Sequence, residues 1–308
     1  MYALETKSLR KEYGSNIAVA DLSLNVKPGE VFGFLGPNGA GKTTSIKMLL
    51  NLVTPTAGEG TLLGKPLGDT SIRAKIGYLP EHFRFHNWLK ASEFLEFHGR
   101  LFGIERSTRR ELIPQLLELV GLGDRIDTKL SAFSKGMTQR IGLAQALMND
   151  PKMVFLDEPT SGLDPLGRKL VRDIVDGLRN EGTAVFINSH LLSEIEQTCD
   201  RVAFIRKGSI LEINDMETLN QSNFRVKLRV GNPTPALINR LDQLDAHICV
   251  DRSKSDQAEA GRYLLEVSNE ESLPKLAHWL INNNHPVYEM SPSRISLEER
   301  FIQVIEGK

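Results

Sequence analysis

The sequence has 308 residues, 40% hydrophobic and 25% charged, enough for one large or two modest globular domains. Its 38 Lys plus Arg nearly balance 39 Asp plus Glu, for a formal net charge of −1, so no strong field draws in nucleic acid or anionic lipid. The two cysteines, Cys199 and Cys249, stand far apart and outside any CxxC or Cys/His cluster. That spacing excludes a disulfide framework or zinc site and predicts inert thiols in a reducing compartment.

The opening residues, Met1 to Lys7, lack a positive segment leading into an apolar one, so a cytoplasmic protein is expected. From residue 1 to about 220, short apolar runs alternate with helical patterns, the signature of an α/β layer built on buried strands. Runs such as Val31–Leu35, Met153–Leu156 and Ala184–Ile187 are far shorter than the ~20 residues a membrane-crossing helix needs, so attachment to a membrane is expected only through a partner.

The first of these runs leads into Gly36-Pro-Asn38-Gly39-Ala40-Gly41-Lys42-Thr43-Thr44 and then into a good helix former, Ser45-Ile-Lys-Met-Leu-Leu. This is a phosphate-binding P-loop in its strand–loop–helix setting. Glycine lets the backbone turn its N–H groups inward around phosphate oxygens without Cβ obstruction. The helix start adds partial positive charge at the same place. Lys42 is then expected to reach the β- and γ-phosphates of ATP, Thr43 to ligate Mg2+ and Thr44 to bond the α-phosphate.

The next strand signal, Ile76-Gly-Tyr78-Leu-Pro80-Glu81, is followed by an aromatic stretch ending at Trp88 and a helical region reaching about residue 150. Then comes Phe133-Ser134-Lys135-Gly136-Met137-Thr-Gln139-Arg140, opening another helix. The run Lys152-Met-Val-Phe-Leu-Asp157-Glu158-Pro159 delivers two carboxylates at a strand's C-terminal edge, where α/β sheets bind ligands. Asp157 suits a magnesium ligand and Glu158 a general base for an attacking water. Ser161-Gly-Leu-Asp164 follows, and Asn188-Ser-His190 ends the next apolar run.

In this order the motifs resemble those of ATP-binding cassette ATPases, over roughly residues 1–220. The resemblance implies that Ser134, Lys135, Gly136 and Met137 form the signature segment, which closes on ATP held by the P-loop of an opposite subunit. Only Ser134 and Gly136 keep the usual Leu-Ser-Gly-Gly-Gln core, while Gln139-Arg140 matches its continuation. Lys135 adds a cation there and Met137 removes an amide. The same resemblance makes Asp164 part of the loop communicating between subunits and gives His190 a contact with the γ-phosphate and attacking water. It stacks Tyr13 on adenine with Val19 beside the base. Glu81 stands where the family commonly has glutamine; it can still reach magnesium through water and accept a bond from the nucleophile, at the cost of a negative charge beside phosphates.

The implied partners are a second ATPase subunit, the same chain or a close paralogue, and an integral membrane permease that receives this chain peripherally on the inner face of the membrane. No nucleic acid is expected. Long coiled coils and a second P-loop, marks of cassette ATPases in DNA repair and on ribosomes, are absent from the sequence. A transporter motor of exporter type is therefore expected, with a soluble regulatory ATPase as the alternative.

A polar stretch near Asn220 suggests a boundary between an ATP-binding domain, 1–220, with a helical subdomain at about 82–150, and an accessory domain, 221–308. The latter reads as strand 224–230, helix 235–244, strand 247–251, strand 262–267, helix 271–283 and strand 286–290, a ferredoxin-like β-α-β-β-α-β order, closed by an amphipathic segment from Leu297 to Ile305. Phe224/Val226/Leu228 and Tyr263/Leu265/Val267 supply its expected apolar faces, and Asp251 to Asp256 reads as a solvated loop.

Overall fold

The computed structural model describes residues 1–82, 86–221, 224–232, 237, 246–248, 261–267, 271–293 and 296–306. The chain divides into two compact units, one comprising Met1–Met216 with the chain end from Gln303, the other Glu217–Ile302.

In the first unit the elements run β1 (Leu4–Tyr13), β2 (Asn16–Val26), β3 (Val31–Leu35), α1 (Lys42–Leu49), β4 (Ala57–Leu62), β5 (Lys65–Pro66), β6 (Ile76–Leu79), α2 (Ala91–Leu101), α3 (Arg106–Leu119), α4 (Lys135–Leu147), β7 (Met153–Asp157), α5 (Pro165–Asn180), β8 (Ala184–Asn188), α6 (Leu192–Thr198), β9 (Arg201–Arg206) and β10 (Ser209–Asp215). The strands form one ten-stranded sheet in the order β5-β4-β1-β2-β10-β9-β3-β8-β7-β6. Strands β9, β3, β8, β7 and the edge strand β6 pair in parallel, whereas β1, β2, β4 and β5 pair antiparallel.

Every residue of β3, β7 and β8 is buried, as expected for parallel strands covered on both faces. Phe186 of β8 meets Phe32 and Phe34 of β3 and Phe155 of β7, with ring centroids 5.6, 5.3 and 5.6 Å apart. This aromatic layer fixes the three strand ends that carry the P-loop, the two carboxylates and His190. The parallel sense puts those ends, with that of β6 and Glu81, on one edge of the sheet. Helix starts are set by side chains: Ser134 caps α4, and Asp164 caps α5 ahead of Pro165 at its first turn.

A short helix α7 (Met216–Gln221) begins at the unit boundary, followed by β11 (Phe224–Val230), β12 (Ala246–Ile248), β13 (Arg262–Val267), α8 (Ser272–Asn282), β14 (Val287–Ser293) and α9 (Leu297–Glu306). The four strands form a sheet in the order β12-β13-β11-β14 with antiparallel neighbours. Each expected strand–helix–strand unit is thus split by a strand of the other, as in a ferredoxin-like sheet. Val226, Leu228, Tyr263, Leu265 and Val267 form its core with Leu276 and Leu280 of α8. The expected helix 235–244, apart from Leu237, the end of the strand expected at 247–251, the loop 251–256 and the side chain of Phe224 lie outside the described residues.

Candidate functional site

The P-loop leaves β3 at Leu35 and enters α1 at Lys42. Its path is fixed by close backbone approach: a Cβ on Gly36 would sit 2.3 Å from the Ile205 carbonyl oxygen. Gly41, with φ 104°, has a left-handed backbone, and a Cβ there would sit 2.5 Å from the Ala18 carbonyl oxygen. Gly208 N–H donates to the Ala40 carbonyl at 2.8 Å, tying the buried Ala40 to the β9–β10 turn. Lys42 Nζ donates to the carbonyls of Gly36 at 2.7 Å and Pro37 at 3.2 Å. Burial pulls the Lys42 pKa down, opposed by the nearby Glu158, Asp157 and Glu81 carboxylates.

Asp157, the last residue of β7, is 1% exposed. Burial pushes its pKa up, against a 2.5 Å hydrogen bond from Asn188 Nδ2 to its Oδ1. Glu158 follows with φ 55°, a left-handed conformation uncommon outside glycine. Its N–H donates to the Asn188 carbonyl at 2.8 Å, and its own carbonyl accepts from Ser161 N–H at 3.1 Å and Gln139 Nε2 at 3.1 Å. Its Oε2 lies 2.6 Å from His190 Nδ1. Burial raises the Glu158 pKa, and His190 counteracts it.

These groups surround one cleft of about 680 Å3, lined by Asn38, Gly39, Gly41, Lys42, Thr43, Thr44, Glu81, Glu158, Asn188 and His190, with Asn16, Ile17, Ala18 and Lys207 on its wall. The volume suits a ligand of nucleotide size. Most of the predicted P-loop and acidic residues are therefore brought together. Gly36, Ala40 and Asp157 are buried outside the lining itself, and Val19 and Tyr13 are placed otherwise. Val19 is fully buried in β2, behind Gly41, so Ala18 rather than Val19 faces the cleft. Tyr13, half exposed at the end of β1, is outside the cleft lining, and Lys11 Nζ sits 4.9 Å from its ring centroid. Asn16, Ile17, Ala18 and Lys207 carried no motif and were not anticipated; only a strand-turn position beside the P-loop could have pointed to them.

Ser134, Lys135 and Gly136 of the signature segment line a separate hollow of about 490 Å3 with Gly162 and Asp164, while Met137 is outside its lining. The Ser134 hydroxyl oxygen accepts from Met137 N–H at 3.3 Å, and Lys135 Nζ lies 3.4 Å from Ser161 Oγ. Asp164 Oδ1 accepts from Gly167 N–H at 2.7 Å. Within one chain this segment does not reach the P-loop cleft.

The donor set also fits magnesium. Thr43, Glu81 and Asp157 offer hard oxygen ligands, and Mg2+ binds through one or two carboxylates plus substrate phosphates rather than through a full protein cage. Asn188 Oδ1, beside Asp157, is buried with no hydrogen-bond partner among the described residues, as suits an acceptor for ion-bound water.

A family model described as ABC transporter matches residues 19–161. An ABC transporter ATP-binding protein of Synechocystis sp. is 43% identical over 292 residues, covering 93% of this chain and 78% of that protein. The bacitracin transport ATP-binding protein BcrA of Bacillus licheniformis is 35% identical over 308 residues, covering 99% and 97%. The Nod factor export ATP-binding protein I of Cupriavidus metallidurans is 38% identical over 207 residues, covering 67% and 68%. Among solved structures, an ATP binding subunit of an ABC transporter superposes with a TM-score of 0.66 at 27% identity, covering 71% of this chain and 92% of that one.

Proposed function

The chain belongs to the ABC transporter family of ATP-binding proteins, as an ATPase subunit, and from that premise we propose how its residues work and what they drive. ATP occupies the P-loop cleft, with Lys42 neutralising the β- and γ-phosphates and the backbone from Gly36 to Thr44 enclosing them. Thr43, Asp157 and Glu81 hold Mg2+, which when bound offsets phosphate charge. Glu158 accepts the proton of the attacking water, and His190 orients the γ-phosphate and that water. The supporting observation is the buried Glu158 carboxylate, 2.6 Å from His190 Nδ1 in the cleft that holds Lys42.

Two chains, identical or closely paralogous, pair so that Ser134 to Met137 of one meets the nucleotide of the other. The ATPase powers export through a separate membrane permease: similarity to the bacitracin transport protein runs over 99% of this chain, and the Nod factor relative is an exporter component. The chain sits peripherally on the inner face through the permease, and no helix among the described residues is long and apolar enough to cross a membrane. The part beyond about residue 220 is an accessory domain acting on subunit contact or regulation.

The test is capture of the tagged chain from detergent-solubilised membranes of its host, with ATPase assays of wild type and Lys42→Ala. Stoichiometric recovery of an integral membrane protein and loss of turnover in the variant are expected. Recovery free of any membrane protein would favour a soluble regulatory ATPase, and unchanged turnover in Lys42→Ala would remove the P-loop mechanism.

A further inference from the structure

Glu158 is held in an unusual way for the residue proposed as the base. Its φ of 55° is left-handed, and Pro159 follows it. Such a conformation is strained for a non-glycine residue and persists only where its surroundings over-determine it. Three groups fix the backbone: the Asn188 carbonyl takes the Glu158 N–H at 2.8 Å, and Ser161 N–H and Gln139 Nε2 both donate to the Glu158 carbonyl at 3.1 Å. The first two belong to the backbone of neighbouring segments and would exist with almost any side chain. The third is a side chain from a different element.

Gln139 lies in the second turn of α4, 6% exposed, and its amide contact to Glu158 spans 19 positions in sequence. A buried amide group is costly to leave unpaired, so removing either end is felt at the other. Its neighbour Arg140 anchors the same turn to the end of α3, donating to the carbonyls of Val120 at 3.2 Å and Gly121 at 2.9 Å. The helix that Ser134 caps is thereby fastened on one side to the helical layer and on the other to the backbone of the base.

We propose that Gln139 is a positioning residue for ATP hydrolysis: its side-chain amide holds the Glu158 backbone in the left-handed turn that aims the carboxylate into the cleft, and so links the signature helix to the base. This rests on Glu158 being the base. A carboxylate displaced by about 1 Å loses roughly 10²-fold in rate, whereas nucleotide affinity, carried by the P-loop, depends little on it.

The test substitutes Gln139→Met, which keeps length and volume but has no donor, in wild-type and Glu158→Gln backgrounds of the full chain. The expected result is a kcat lowered by about 10- to 10²-fold, with KM for ATP within about twofold and ATP binding retained. In the Glu158→Gln background the same change should not lower the residual rate further, because both substitutions act on one group. Unchanged kcat in Gln139→Met, or an equal fold-loss in both backgrounds, would overturn the assignment. If Gln139→Met fails to bind ATP, Gln139→Glu, of similar shape with an acceptor where the donor stood, is read by the same criteria. Failure of both to bind ATP would make Gln139 a folding requirement and equally overturn its positioning role. Full activity of the Glu158→Gln single variant would instead overturn the reading of Glu158 as base, whatever Gln139 does.

Discussion

His190 Nδ1 and Glu158 Oε2 lie 2.6 Å apart although His190 leaves β8 and Glu158 leaves β7. The Glu158 side chain is 9% exposed and that of His190 57%, so the contact joins a buried carboxylate to a group open to the cleft. A hydrogen bond to an ionised partner is stronger than a neutral one, and here it offsets part of the burial that disfavours the Glu158 anion.

Glu158→Gln is therefore expected to retain ATP binding and lose about 10²–10⁴ of the hydrolytic rate. Removing one anion beside the phosphates also favours the ATP-closed pair of subunits. Size measurement with ATP should show a dimer in the variant; a strict monomer with bound ATP would contradict the pairing.

His190→Ala is expected to lower kcat by about 10², the cost of one well-placed polar group near the reacting centre, with a small change in ATP affinity. Single-turnover hydrolysis with bound ATP measured separately checks this split. A loss carried wholly by affinity would place His190 in binding rather than in the chemical step.

Gly36→Ala should destabilise the protein by about 1–3 kcal/mol and weaken ATP binding, because the new Cβ meets a carbonyl of the neighbouring strand that has no freedom to withdraw. That oxygen, of Ile205, is 2.3 Å from the Cβ position. Denaturant unfolding and nucleotide titration of the same preparation check both effects.

Glu81 lines the cleft at the end of β6, with its side chain 45% exposed, next to the segment leading to the exposed Trp88. Glu81→Ala is expected to reduce permease-stimulated hydrolysis by about tenfold while ATP affinity changes by less than about twofold. Equal losses in affinity and stimulated rate would confine Glu81 to a local role.

Cys199 is buried behind Gly33, and burial pushes its thiol pKa up. Since the thiolate is the reactive form, iodoacetamide should leave Cys199 unmodified in the native protein and alkylate it after unfolding in guanidinium. Peptide mapping before and after unfolding distinguishes the two states.

The P-loop and the acid pair at the end of β7 were legible in the sequence because each is a short contiguous signal, whereas His190 gained a role only from the order of motifs that resembles the family. Glycines, a lysine and hydroxyls encode a phosphate-binding turn locally, and an apolar run ending in carboxylates marks a buried strand delivering them. What encloses the cleft was not legible. The choice of Ala18 over Val19 depends on which face of β2 is turned towards Gly41, and Lys207 reaches the wall only because the β9–β10 turn bonds Ala40. The left-handed Glu158 and its bond from Gln139 likewise arise where a side chain of α4 meets the turn that follows β7. These features follow from strand order and packing between segments far apart in sequence, and no window of residue types carries that information; the sequence by itself determined the chemical groups, and the tertiary structure decided which of them face one another.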